Sequence, residues 1–362
     1  MPESTRSSRP DAPYWAVILA GGVGSRFWPV STAARPKQLL PLTGDRSLIE
    51  ETLARIEPVV PPERTRILTG RHLADLIRRQ VPGLSEDQLL LEPRARGTAP
   101  ALAWAAWRIA RDEPRAVMAS LHADHAIEPA DAFRDMLARV AELATAHDRL
   151  FTLGIEPTRP ETGYGYIQVG DVLPEGAPAR AVADFVEKPD RDTAQEYLRR
   201  GGYLWNSGIF VWRVDVFLDQ LRSHTPEIAE LLPMLEAGDE EGFFRSAPAL
   251  SVDEGLLERS KRVAVVPASF RWDDVGAWDA VARGRKADPA GNVAVGEAFF
   301  HDTRRSIAWS EGGAVVLFGV DDLVVVSVHG ATLVMPRERA GELKEVIEGL
   351  PEALRRMEES DG

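Results

Sequence analysis

Apolar and polar positions in the first half of the chain follow two alternating spacings. Short apolar runs stand at 15–20 (WAVILA), 66–70 (RILTG), 89–92 (LLLE), 116–121 (AVMASL) and 150–155 (LFTLGI). Runs of this length predict buried strands. Between them lie SLIEETLARI (47–56), RHLADLIRRQ (71–80), TAPALAWAAWRIAR (98–111) and ADAFRDMLARVAEL (130–143). In the last, Phe133, Met136, Leu137, Val140 and Leu143 recur at helical spacing and mark one face. This β-α-β-α order predicts an α/β fold with a mixed, mostly parallel sheet flanked by helices. Ligands are then expected at the carboxyl ends of the strands.

The pattern changes near residue 155. GYGYIQV, ADFVEKP and GIFVWRV read as strands in a longer insertion with helices between them. From about residue 290 helical periodicity nearly vanishes. NVAVGEAFF, SIAWSEG, AVVLFGV, DLVVVSV and ATLVM are short β segments at near-regular spacing, which predicts a small all-β second domain. ERAGELKEVIEGLPEALRRMEES reads as a helical stretch interrupted near Gly349-Leu350-Pro351. The expected division is a polar, disordered tail over 1–14, an α/β domain over 15–288 and a β domain with a C-terminal helix over 289–362.

Composition narrows the function classes. The 362 residues are 44% hydrophobic and 27% charged, enough for one large domain and a smaller one. The formal charge of −13 argues against a general nucleic-acid binder, which needs a basic face. The chain has no cysteine, which removes disulfides, thiolate metal sites and cysteine nucleophiles together. The first residues lack a basic segment followed by an apolar one, so no signal peptide is read. No apolar run approaches the ~18–20 residues that span a bilayer. No membrane partner is expected, and the expected location is the cytoplasm.

Against that acidic background, residues 19–42 stand out: LAGGVGSRFWPVSTAARPKQLLPL. A strand that ends in a glycine-rich turn presents backbone N–H groups to phosphate oxygens. The dinucleotide pattern G-x-G-x-x-G fails because position 27 is Phe, and the Walker A pattern fails as well. The anion logic survives in Arg26, a rigid fork, and Lys37, a mobile point charge. A plain structural turn with surface cations is the competing reading.

The longer match decides between them. Residues 19–42 resemble the signature of the sugar-nucleotide pyrophosphorylases, and Phe27-Trp28-Pro29 with Pro36-Lys37-Gln38 is similar to the mannose-1-phosphate guanylyltransferase branch. EPRARGTAPA (92–101), HADH (122–125), GYGYI (163–167), FVEKP (185–189), WNSGIF (205–210) and FRWDDVGAW (270–278) follow in the family's order. Each block alone is weak; together they span about residues 15 to 335. Gly97 departs from the family pattern. Asp273-Asp274 doubles a position where one aspartate is essential, and that role goes to Asp274 because Val275-Gly276 follows it.

The resemblance implies a Rossmann-like nucleotidyltransferase domain with a small β-helix-like domain, as in the short, single-function members. Longer relatives add an isomerase domain; this chain ends at 362, so no isomerase activity is expected. It also implies transfer of GMP from GTP to mannose 1-phosphate. Leu19, Ala20, Gly21, Gly22, Gly24, Ser25, Glu92, Arg96, Thr98 and Ala99 would bind the nucleotide. Gly163, Tyr164, Gly165, Glu187, Lys188 and Asn206 would bind the sugar phosphate. Arg26, Lys37 and Lys188 would act on the phosphates, and Mg²⁺ would be held by Asp124 and Asp274 with phosphate oxygens and water. A homodimer is expected.

Each residue also has a plainer reading. Asp124 could be a helix N-cap or turn aspartate, Glu187–Lys188 an exposed ion pair worth ~0–1 kcal/mol, and Asn206 a turn residue before GIFVW, whereas in a site Asn206 offers both a donor and an acceptor. Thr98 with Pro100 reads as the start of a helix, Thr98 being its N-cap. His122 and His125 suggest zinc but lack a third or fourth protein ligand. Trp104 and Trp107 are expected in a core or interface, and Trp28, Trp205, Trp272 and Trp278 in the pocket wall. Three rivals remain: a same-fold transferase for another base or sugar, a catalytically silent regulatory subunit, and a dehydrogenase disfavoured by the failed fingerprint.

Overall fold

The computed structural model describes residues 14–22, 24–173, 178–328 and 330–356. The expected disordered tail lies outside them, except for its last residue. Tyr14 opens the first strand, pairs with Val117 and is buried.

β1 (Tyr14–Leu19), β2 (Thr65–Gly70), β3 (Leu89–Glu92) and β4 (Val117–His122) form a parallel array in the order β3-β2-β1-β4. The apolar runs predicted these strands to within a residue. The connecting helices are α1 (Leu48–Ile56), α2 (Ala74–Gln80), α3 (Thr98–Asp112) and α4 (Ala130–Ala146). Ser47 starts α1 with a capping box completed by Glu50, which satisfies otherwise orphaned N–H groups.

The chain then adds β5 (Ala126–Glu128), β6 (Leu150–Ile155), β7 (Tyr166–Val172) and β8 (Arg180–Val186). Helix α5 (Arg191–Arg200), β9 (Tyr203–Arg213), α6 (Val214–His224), β10 (Val263–Pro267) and β11 (Arg271–Asp273) follow. The sheet continues as β4-β9-β6-β10-β8-β7. Strands β3, β2, β1, β4, β6, β10 and β7 run one way, and β9 and β8 against them. Side chains alternate between two faces. Ala16 and Ile18 of β1 join the core under α1, α2 and α4, while Val17 joins the core under α3 and α6.

The β domain contains β12 (Val293–Val295), β13 (Ala298–His301), β14 (Ile307–Ser310), β15 (Val315–Phe318), β16 (Leu323–Val328) and β17 (Ala331–Pro336). β12, β14 and β16 stack in parallel, β13 stacks on β15, and β17 closes the first stack antiparallel. This is the β-helix-like coil that the resemblance implied, built from the short β segments that the spacing predicted. Short helices at Leu343–Glu348 and Glu352–Arg356 flank the break at residues 349–351, where Pro351 cannot continue a helix.

One apolar core joins the two domains. Phe27, Trp28 and Val30 of the signature loop pack with Trp278 and with Trp309, Val324 and Leu343 beyond residue 290. Trp278 meets Phe27 and Trp309 edge-on at 5.4 and 5.6 Å, and its Nε1–H donates to the Trp28 carbonyl. Trp28 and Trp278 therefore do not wall a pocket, as the sequence suggested. Their indoles are buried instead in the apolar core between the domains. Trp104 lies in the core against Phe244.

Candidate active site

Sheet register brings the site together. Leu19 pairs with His122 across β1 and β4, and the Ala123 N–H donates to the Leu19 carbonyl. The glycine turn after β1 and Asp124 after β4 thus leave the sheet side by side, where the strand order switches direction. A second pairing delivers the other carboxylate. In the β5–β11 ribbon Ala126 stands opposite Asp273, which carries Asp274 to the same edge.

Lys37 lies between them. Its Nζ is 2.8 Å from Asp124 Oδ2 and donates to the Asp274 carbonyl at 2.7 Å. The lysine is almost fully buried, in a short 3₁₀ turn that follows Pro36. Gly24 makes room for it. Its φ is +75°, and a Cβ there would lie 2.2 Å from Lys37 Cβ. Burial would raise the Asp124 carboxyl, but Lys37, His125 and His122 outweigh it and hold Asp124 at about 2. Burial raises Asp274 above the usual carboxylate range, opposed by Lys37 and by the Tyr164 hydroxyl.

The two adjacent aspartates divide their roles. Asp273 accepts from the Arg283 guanidinium and from the Val275 N–H. Asp274 Oδ1 accepts from the Tyr164 hydroxyl at 2.6 Å. Val275 holds φ +49° although it is β-branched and fully buried, a strained conformation that turns the chain beside Asp274. Asp124 and Asp274 bring two carboxylates to this edge, hard oxygen ligands that suit a divalent cation.

His122, Asp124 and His125 each place a ligand atom within 4.8 Å of the others. One of the three is already engaged: His125 Nδ1 accepts from Trp272 Nε1 at 3.1 Å. Burial holds both imidazoles below their ordinary pKa.

Of the residues expected on the nucleotide side, Leu19, Ala20, Gly21, Gly22, Glu92 and Thr98 line a cleft of about 300 Å³ together with Gly97 and Asp124. Burial pushes Glu92 up to about 7. Thr98 is not the N-cap expected from sequence. Gly97 occupies that position, and Thr98 Oγ1 accepts from the Val252 N–H at 2.8 Å. The reason is a backbone pairing with residues 250–252. Leu250 N donates to the Arg96 carbonyl and Ala99 N to the Leu250 carbonyl, so these groups need no cap. At Gly97 φ is +80° and a Cβ would lie 2.4 Å from the Leu250 carbonyl oxygen, so this chain needs glycine there. Ala99 is fully buried in the core, and the Arg96 guanidinium donates to the Phe244 and Arg245 carbonyls.

On the other side a cleft of about 1520 Å³ opens between the domains, lined by Arg26, Gly163, Tyr164, Lys188 and Asp274 and by Arg337 of the β domain. Arg26 and Ser25 lie in the short turn Ser25–Phe27 after Gly24, with Arg26 exposed. Tyr164 packs between Trp205 and Trp272. A Cβ on Gly165 would lie 2.6 Å from Glu187 Oε2 and 3.3 Å from Asn206 Cβ, so these three residues are in contact. Lys188, with φ +45°, pairs with Glu187 at 2.8 Å. Asn206 is not in a turn. It lies inside β9, whose Gly208 at φ +69° distorts the strand beside His122. Asp253, Trp272 and Arg283 also line these contacts. The sequence pattern did not single out Asp253 or Arg283, because neither belongs to a recognisable block.

Comparisons with known proteins bear on the fold and the family. A family model described as nucleotidyl transferase matches residues 15–290, and one described as MannoseP isomerase/GMP-like beta-helix domain matches 296–350. Mannose-1-phosphate guanylyltransferase ManC of Salmonella typhimurium is 38% identical over 92% of this chain and 72% of its own length. A Klebsiella pneumoniae mannose-1-phosphate guanylyltransferase is 39% identical over 94% of this chain and 74% of its own. A solved Thermus thermophilus structure, described as mannose-1-phosphate geranyltransferase, superposes with a TM-score of 0.85 at 37% identity, over 92% of this chain and 98% of that one. The fold and the site define a nucleotidyltransferase, and within that class the chain belongs to the mannose-1-phosphate guanylyltransferase family.

Proposed function

We propose that the protein transfers GMP from GTP to mannose 1-phosphate, giving GDP-mannose and pyrophosphate. The observation that carries this reading is the convergence of Asp124 and Asp274 on Lys37, at the junction of the glycine turn and the interdomain cleft. A phosphate oxygen of mannose 1-phosphate forms the new bond to the α-phosphorus of GTP. The bridging bond to the β-phosphate breaks, and pyrophosphate leaves. The second pKa of a phosphate monoester is about 6, so the nucleophile is largely dianionic at neutral pH and needs no general base.

The task is to bring two polyanions together, so positioning and charge neutralisation dominate. The open glycine turn supplies backbone donors to the triphosphate. Arg26, at the mouth of the cleft, takes the leaving phosphates, and Lys37 the charge that develops at the transferred group. Lys188 holds the attacking phosphate. Asp124 and Asp274 would hold Mg²⁺, which supplies Lewis-acid charge to phosphate oxygens when bound. The presence of Arg26, Lys37, Asp124 and Asp274 around one site favours catalysis over a silent regulatory role.

The protein is further proposed to work in the cytoplasm, where GTP is supplied, and as a homodimer. Among the described residues no helix is long and apolar enough to cross a membrane. The outer face of the β13–β15 pair exposes Phe299, Val316 and Phe318, an apolar patch that a second copy would cover. Light scattering on the purified protein tests the dimer; a monomer at micromolar concentration removes it.

The central test is pyrophosphate release with GTP, ATP, UTP or dTTP against mannose 1-phosphate and other hexose 1-phosphates, with and without EDTA. Release confined to GTP with mannose 1-phosphate and abolished by EDTA is expected. Release with another pair overturns the specificity, and no release with any pair overturns catalysis.

A further inference from the structure

The partners of Asn206 leave its amide one orientation. The Gly208 N–H can only donate, and it points at Asn206 Oδ1 at 3.3 Å. The Thr152 hydroxyl lies 3.1 Å from the same oxygen and shares its one proton between it and the Ile209 carbonyl at 3.3 Å. Asn206 Nδ2 donates to Asp253 Oδ1 at 2.8 Å. The carbonyl end is thus engaged, and among the described residues one N–H has no partner. The donor-and-acceptor role allowed by the sequence reduces to that of a donor.

Asp253 is unusually placed for a structural anchor. It begins a π-helical turn, Asp253–Leu257, a rare backbone form concentrated at functional sites. The Val252 N–H just before it donates to Thr98, so the same segment braces the nucleotide cleft. Burial, with the Glu187 carboxylate nearby, pushes Asp253 up to about 7. A second carboxylate beside Glu187 is costly unless it does something there. Asp253, Glu187 and Asn206 each keep some exposure, and Lys188, paired with Glu187, lines the interdomain cleft.

We propose that Asp253 is a positioning residue of the sugar subsite: it locks the Asn206 amide so that an N–H, and not a carbonyl, meets a hydroxyl oxygen of the hexose. The inference rests on the reading of Glu187, Lys188 and Asn206 as the sugar-phosphate site. Glu187 then accepts from sugar hydroxyls while Asn206 donates, a pairing that fixes which hydroxyls the site can take. A ligand that presents the opposite pattern would leave buried polar groups unpaired.

A double-mutant cycle tests this. Asp253→Ala is expected to raise the KM for mannose 1-phosphate about tenfold or more, with the KM for GTP and the melting temperature little changed. Asp253→Asn, which can still offer Oδ1 to Asn206, should stay within a few-fold of the parent. Asn206→Ala should raise the same KM, and the double variant should lose no more than Asn206→Ala alone. Calorimetric titration with mannose 1-phosphate should reproduce these shifts without turnover. Additive losses, an equal rise in the KM for GTP, or an unchanged sugar-phosphate KM in Asp253→Ala would overturn the proposal. If Asn206→Ala itself leaves that KM unchanged, the site assignment falls and the inference with it. If Asn206→Ala raises it and Asp253→Ala does not, only the inference falls.

Discussion

The Tyr164 hydroxyl donates to Asp274 Oδ1 at 2.6 Å, across 110 residues of sequence. A hydrogen bond to a carboxylate favours its charged form, and here it opposes the burial that raises Asp274. Tyr164→Phe keeps the ring between Trp205 and Trp272 but removes the donor. The expected result is a roughly three- to tenfold rise in the Mg²⁺ concentration needed for half-maximal rate at pH 7. A metal titration of the variant checks it, and an unchanged midpoint would separate Tyr164 from the metal site.

Glu92 gives a pH signature. Burial lifts it from 4.5 to about 7. Between those values the folded protein keeps a proton that the unfolded chain has released, so stability falls as pH rises through this window and levels above it. Glu92→Gln should remove that loss and gain about 1–3 kcal/mol over the parent at pH 8, the lower end reflecting partial exposure, with no gain at pH 4. Denaturant titrations at the two pH values measure this. If ionised Glu92 accepts from the base, the KM for GTP should fall as pH rises through about 7 in the parent and stay flat in the variant.

Gly97→Ala should be severe for so small a change. The backbone sits at φ +80°, and the new Cβ would lie 2.4 Å from the Leu250 carbonyl oxygen. Prising residues 96–99 from 250–252 is expected to cost about 2–4 kcal/mol and to raise the KM for GTP more than that for mannose 1-phosphate. Calorimetry with initial-rate kinetics tests both parts. A fully stable variant would mean that the loop pairing is soft.

Trp309 lies in the β domain, buried edge-on against Trp278. Trp309→Ala should cost about 3–5 kcal/mol. Because that core includes Phe27 and Trp28, the loss should appear in the unfolding of the whole chain as one shifted transition. Two separate transitions in calorimetry would show that the domains unfold independently. The exposed-side pair Arg35–Glu311, at 2.6 Å, also crosses between the domains, but its removal should cost no more than ~1 kcal/mol.

Much of this protein was decided by local sequence. The strands and helices of the first half follow from apolar periodicity, which depends only on neighbours a few residues apart. The motif blocks were legible for a related reason. A glycine that must turn, a lysine after a proline and an aspartate just past a strand carry their chemistry in a short window. The chain could not reveal which blocks would meet. Asp124 and Asp274 share an edge only because β5 pairs with β11, and Asp253 reaches Asn206 from 47 residues away through a π-helical turn without a motif of its own. Thr98 looked like a cap because its window contains a cap's residues, yet a backbone pairing with Leu250 left nothing for it to cap. Trp28 and Trp278 looked like pocket walls because they sit in pocket motifs, and a second domain claimed them. Periodicity and turn chemistry are set by bonded neighbours. The orientation of Asn206, the pairing of Tyr164 with Asp274 and the burial of those tryptophans are set by non-local contacts, which exist only once the sheet has closed its register.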